Sequence, residues 1–202
     1  MDVKQWHERI SHRSDFSCGL VHLTKGTKNR TAIQTLIKIL NDKELIGGTG
    51  YICGNNSVVC FQDVPLQSLS ENIFYEQKLH HEDGNPIRYS AFGLRFSKDF
   101  IYKNGGRPVL YEQTEIAKKF LPEEEHWRIV CLDLKNSNNV TDWTHEREWR
   151  IKGNLKFEWK DVEILLSQEY DIKRFLEECN KSGIPNILDE VKGIITLKSV
   201  LF

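Results

Sequence analysis

Three things are missing from this 202-residue chain: a paired-cysteine framework, a long apolar run and an excess of either charge. The five cysteines (Cys18, Cys53, Cys60, Cys131 and Cys179) are odd in number, widely spaced and free of any CxxC pair. That pattern predicts reduced thiols and a cytoplasmic protein rather than a disulfide scaffold. No apolar stretch approaches the ~18 residues of a membrane span, and no basic segment followed by an apolar one opens the chain, so neither a membrane partner nor export is expected. A net charge of -1 gives no global electrostatic footprint for nucleic acid; any such partner would be held by a local patch. Lys25, Lys28, Arg30, Lys38 and Lys43 are the basic stretch, and Glu123, Glu124 and Glu125 are its acidic counterweight.

The usual cofactor and hydrolase signatures are also absent. There is no GxGxxG, Walker loop, HExxH or GxSxG, which removes the minimum parts of a Rossmann, P-loop, zincin or α/β-hydrolase reading. His80 and His81 with Cys53 and Cys60 match no usual zinc spacing, so no metal is expected. Cys60 beside Phe61 reads as an inert thiol in an apolar strand.

What is present is a succession of short elements. Trp6 and Ile10 share one face of a short helix, in a polar stretch over residues 1–19 that reads as a flap. Residues 20–24 alternate as a strand with His22 and Thr24 on one face. Ala32, Leu36, Ile39 and Leu40 follow helical spacing, with Thr31 as cap and Gly47-Gly48 beyond the end. Residues 57–61 read as a buried strand. Asp63 and Pro65 read as the start of a helix carrying Leu66, Leu69 and Ile73 inward. Strands are expected over 89–96, 107–112, 127–134, 141–151 and 162–167, a helix over 115–120 and another over 170–180. A closing strand pair or long strand is expected over 191–202. No internal repeat appears, so the chain reads as one α+β domain, 1–202, with a mostly antiparallel sheet and flanking helices.

Two segments carry candidate chemistry. In 141–151 charges and aromatics alternate with a period of two, so a strand would set Glu146, Glu148 and Arg150 on one face and Trp143 and Trp149 on the other. Paired carboxylates suit the stabilisation of a glycosyl cation; a face of mutual salt bridges is the competing reading. In 89–96, Tyr89, Ala91, Gly93 and Arg95 share a face. A ring, two small positions and a cation there suit a flat, anionic ligand, with close packing at Gly93 as the alternative.

Taken in order, His22-Leu23-Thr24, Val59-Cys60-Phe61-Gln62-Asp63-Val64-Pro65, residues 89–98, Pro108-Val109-Leu110-Tyr111 and Glu146-Arg147-Glu148-Trp149-Arg150 resemble the AbiGi-type abortive-infection family of bacterial phage-defence proteins. That family is similar in pattern to the ADP-ribosyltransferase superfamily, including the DarT-like toxins. The resemblance implies a split-sheet fold of that type and NAD as substrate. It implies that His22 and Thr24 meet a ribose hydroxyl, that a middle-strand residue, Tyr89, Phe61 or Tyr111, stacks on nicotinamide, and that Arg95 meets the pyrophosphate. Glu148 would stabilise the oxocarbenium ion and Glu146 orient the acceptor, a nucleic acid or a protein, with Arg150 rather than Arg147 as counter-charge. The same resemblance carries two other readings: an inactive antitoxin or binding module with a cognate partner, and an NAD glycohydrolase.

Overall fold

The structure, a computed structural model, describes residues 1–83, 90–184 and 186–200. Helix α1 (Val3–Ser11) is closed by a reciprocal Asp2–Gln5 capping box and buries no residue. Strand β1 (Gly19–Leu23) and helix α2 (Ala32–Asp42) follow, the helix capped by Thr31 as its sequence predicts. Its inward stripe is Ile33, Leu36, Ile37 and Leu40, each contributing about 1.5–3 kcal/mol by burial. Lys43, in left-handed backbone with φ 51°, ends α2 earlier than the Gly47-Gly48 pair would.

Then come β2 (Glu44–Leu45), β3 (Val58–Gln62) and α3 (Leu66–Asp83). Asp63 does other work than the capping expected of it: its carboxylate pairs with Lys98 Nζ at 2.8 Å and its N–H donates to the Arg147 carbonyl at 3.2 Å. Strand β4 (Gly93–Ser97) leads directly into α4 (Lys98–Lys103). The expected strand over 107–112 is two, β5 (Arg107–Pro108) and β6 (Leu110–Glu112), which join different sheets; the Val109 N–H between them still donates to the Glu148 carbonyl at 3.0 Å. Short α5 (Thr114–Ala117) precedes β7 (Ile129–Cys131), with Trp127 in the turn before it rather than in the strand.

The remaining elements are β8 (Glu148–Lys152), β9 (Leu155–Lys156), β10 (Val162–Leu166), α6 (Glu169–Lys181), α7 (Ile187–Glu190) and β11 (Gly193–Thr196). Among the described residues the closing segment is one strand followed by a 3-10 turn, Lys198–Val200, and not a strand pair.

These elements form an α+β fold around a seven-stranded sheet ordered β11-β10-β4-β1-β3-β8-β5, antiparallel except for the β10–β11 pair. Helices α2 and α6 pack on one face, where Leu36, Leu40, Phe61, Leu94, Phe96, Ile164 and Phe175 share a core. Helix α3 covers the other face through Leu69 and Ile73 against Val21 and Leu165. One seam is thin. Strand β1 pairs with β4 over five residues but with β3 at a single position, Val21 opposite Gln62. No helix among the described residues is long and apolar enough to cross a membrane.

Candidate functional site

The alternation that singled out 141–151 holds only from Glu148 onward. Asp142 Oδ1 accepts from both the N–H and the hydroxyl of Thr144, residues Thr144–Glu146 form a 3-10 turn, and Arg147 sits in left-handed backbone at φ 45°. Glu146 therefore leaves the strand face it was expected to share with Glu148.

Glu148 is 8% exposed and Arg150 4%. They share a face of β8, and Arg150 Nε–H donates to Glu148 Oε1 at 2.8 Å while Nη2–H donates to Oε2 at 3.2 Å. Arg150 Nη1–H donates to the carbonyls of Trp127 (2.6 Å) and Ile129 (3.2 Å), and the Glu148 N–H donates to the Tyr111 hydroxyl at 2.7 Å. Both carboxylate oxygens are engaged. The group is a buried, partnered side-chain pair that ties β8 to the start of β7. Burial, with Glu148 next in effect, pushes the neighbouring Cys60 thiol far up, and burial pushes the Tyr111 phenol up to about 12.

Sheet register separates His22 from Glu148. Cross-strand partners lie on one face, and Val21 faces Gln62 while Gln62 faces Glu148. His22, adjacent to Val21, points to the opposite face, where its ring meets Phe61 edge-on at 5.8 Å. The two residues are thus not the co-facing pair that the resemblance implies.

His22 meets Glu146 instead. Where β1 and β3 part after their single rung, a cleft of about 210 Å³ opens, and His22, Thr24, Lys25, Cys60, Gln62 and Glu146 line it, with Phe61 at its inner wall. The His22 Nδ1 lies 2.9 Å from the Cys60 carbonyl, which can only accept, so Nδ1 carries the proton and Nε2 is left as an acceptor in the neutral ring. Burial holds the imidazole pKa below its ordinary value, against the opposing pull of that carbonyl.

The other candidates are placed as follows. Thr24 is buried, and its hydroxyl donates to the Phe92 carbonyl at 3.2 Å. The Phe61 ring is fully buried and packs edge-on against Phe96 at 5.9 Å. Arg95 is ion-paired with Glu163 on β10 and its side chain lies across Gly19, away from the cleft. Gly93 offers no room for a flat ligand, because a Cβ there would stand 2.3 Å from the His22 carbonyl oxygen. Tyr89 lies outside the described residues.

One cleft residue was missed by sequence reasoning. Gln62 is 8% exposed and its Oε1 has no hydrogen-bond partner. The available signal was an amide side chain following an apolar strand, directly before a charged residue. A larger hollow of about 380 Å³ lies between α2 and α6, and on its walls Lys38 is paired with Asp42.

No family model matches the chain, and neither the curated proteins nor the solved structures yield a match. The chemistry therefore rests on the cleft alone. It combines a carboxylate, a neutral imidazole with one free acceptor, an exposed ammonium at Lys25 and a buried amide.

Proposed function

We propose that the cleft between β1 and β3 is a glycosyl-transfer site that takes the nicotinamide-ribose end of NAD and passes ADP-ribose to a macromolecular acceptor. The observation that carries this reading is that His22 and Glu146, 124 positions apart by number, line one small cleft beside Lys25. In the reaction the C1′–N bond of the nicotinamide riboside breaks, its electron pair leaves with neutral nicotinamide, and the ribose becomes an oxocarbenium ion. An acceptor oxygen or nitrogen then bonds to C1′ and loses its proton.

Within that scheme His22 Nε2 accepts from a ribose hydroxyl, and Glu146, rather than Glu148, supplies the negative charge beside the cation. A fixed charge already in place where the opposite charge develops stabilises the transition state without having to reorganise during the reaction. Lys25, on the lining of the same cleft, supplies a positive charge for the phosphates of the dinucleotide. Glu148 acts on the site only by holding β8, and with it the turn that carries Glu146. A growth-arresting role in phage defence accords with the resemblance to the abortive-infection family.

A specific observation favours a second reading, a catalytically silent binding module. The cleft is smaller than the roughly 300–1,000 Å³ of ordinary ligand pockets, and both oxygens of Glu148 are occupied. One assay separates the readings. Purified protein is incubated with labelled NAD and RNA, DNA or cell lysate, alongside Glu146→Gln. Labelled macromolecule that disappears in the variant supports transfer, and NAD loss without label assigns water as acceptor. No NAD consumption under any condition rejects the transfer reading and leaves the binding module.

A further inference from the structure

We infer that Arg147 is a positioning residue, whose guanidinium fastens the turn carrying Glu146 to the segment ahead of β1 and so keeps the Glu146 carboxylate at the cleft. The inference rests on the glycosyl-transfer reading above and deepens it by naming what fixes the place of the negative charge.

Four contacts close a ring beside the cleft. Arg147 Nη1–H donates to the Asp15 carbonyl at 2.7 Å, across 132 positions of sequence. The Arg147 carbonyl accepts from the Asp63 N–H at 3.2 Å, the Asp63 carboxylate pairs with Lys98 Nζ at 2.8 Å, and the Lys98 N–H donates to the Cys18 carbonyl at 2.9 Å. The segment 15–18 is seated on β1 in its turn, because the buried Ser17 hydroxyl donates to the Gly19 carbonyl at 2.8 Å and accepts from the Gly19 N–H at 3.0 Å. The ring therefore joins the pieces that frame the cleft: Arg147 follows Glu146, Asp63 follows the end of β3, and residues 15–18 lead into the strand that bears His22.

The residue type at 147 carries the argument further. Arg147 stands at φ 45°, left-handed backbone that glycine or asparagine fills with less strain. The bonds that shape the turn, from the Glu146 N–H to the Trp143 carbonyl and from the Arg147 N–H to the Thr144 carbonyl, both at 3.1 Å, are main-chain bonds that those residues would make equally well. Neither of them could reach Asp15. The Asp15 carboxylate is already taken by Arg13 Nε and Nη2 at 3.0 and 2.7 Å, so Arg147 meets the main chain there. The bond it makes accounts for an arginine in strained backbone directly after the cleft carboxylate, and strain held in place by its surroundings gathers at functional sites.

The test uses Arg147→Asn, which suits the left-handed backbone and removes the guanidinium, and Arg147→Lys, which keeps a long stem with a cationic donor. With Asn, kcat for NAD turnover is expected to fall by about 10–100-fold, the effect of misplacing a reacting group by about 1 Å. KM should stay within about twofold of wild type, because the groups that bind the dinucleotide remain in place. The thermal midpoint should stay near that of wild type, and Arg147→Lys should recover most of kcat. Hydrogen exchange gives a readout free of catalysis: amides of residues 13–18 and 143–147 should exchange about threefold faster or more in Arg147→Asn, and those of the β1–β4 ladder at the wild-type rate. Unchanged exchange in both segments, wild-type kcat in a folded Asn variant, or a Lys variant no faster than the Asn variant overturns the assignment while leaving NAD turnover intact. Failure of Arg147→Asn to fold makes Arg147 a structural residue and overturns it too. Absence of NAD turnover in wild type instead removes the proposed function, and exchange alone then decides whether Arg147 fastens the turn.

Discussion

Glu148 and Arg150 stand two positions apart on one face of β8 and close on each other through two hydrogen bonds, at 2.8 and 3.2 Å, in a setting nearly sealed from water. Removing one partner strands the other. Glu148→Ala or Arg150→Ala is expected to lower unfolding free energy by about 3–5 kcal/mol, while Glu148→Leu with Arg150→Met together cost less than either alone. Urea denaturation of the four proteins checks this; additive costs would mean that the pair is not coupled.

Glu146 is the carboxylate to test for catalysis. Glu146→Gln is expected to lower kcat for NAD turnover by about 10²–10³-fold while leaving the thermal midpoint close to wild type. A fall in stability comparable with that of Glu148→Ala would instead make Glu146 a structural group.

The cysteines should divide by burial. Cys60 is pushed far up by burial and by Glu148, and Cys179 is pushed up to about 12 by burial. Since the thiolate is the reactive form, both should resist iodoacetamide at about pH 8 in the folded protein and react once it is unfolded. Peptide mass spectrometry reads the sites directly, and early labelling of Cys60 would contradict the packing around it.

His22 makes stability depend on pH. Its folded-state pKa lies below the ordinary 6.5 because burial disfavours the cation. The unfolded chain then binds the extra proton first, so the contribution is fully present above 6.5 and is lost as pH falls below it toward the folded value. Unfolding free energy should decline from about pH 7 downward with a slope of at most about 1.4 kcal/mol per unit from this group. His22→Gln should flatten that part of the curve.

Gly93 gives the sharpest backbone test. A methyl group there meets the His22 carbonyl at 2.3 Å, backbone that cannot swing aside. Gly93→Ala is expected to cost about 1–3 kcal/mol and to loosen the β1–β4 pairing.

Much of the scaffold was legible because periodicity and capping agreed: Thr31 caps α2, Phe175 and Cys179 face inward from α6, and Val162–Leu166 is a buried strand. The site was less so. A two-residue alternation cannot reveal that Arg147 adopts left-handed backbone, and that one dihedral carries Glu146 off the strand. Nor does a strand pattern report register, which decided that His22 and Glu148 face opposite ways. Arg150 as the partner of Glu148 followed directly from their spacing on one face.

The lone rung between Val21 and Gln62 leaves the sheet as two leaves held by a short hinge line. Amide protons near this join should exchange with solvent sooner than those of the five-residue β1–β4 ladder. Any molecule lodged in the gap would act as a wedge and a clasp at once, gripping both leaves and slowing that exchange.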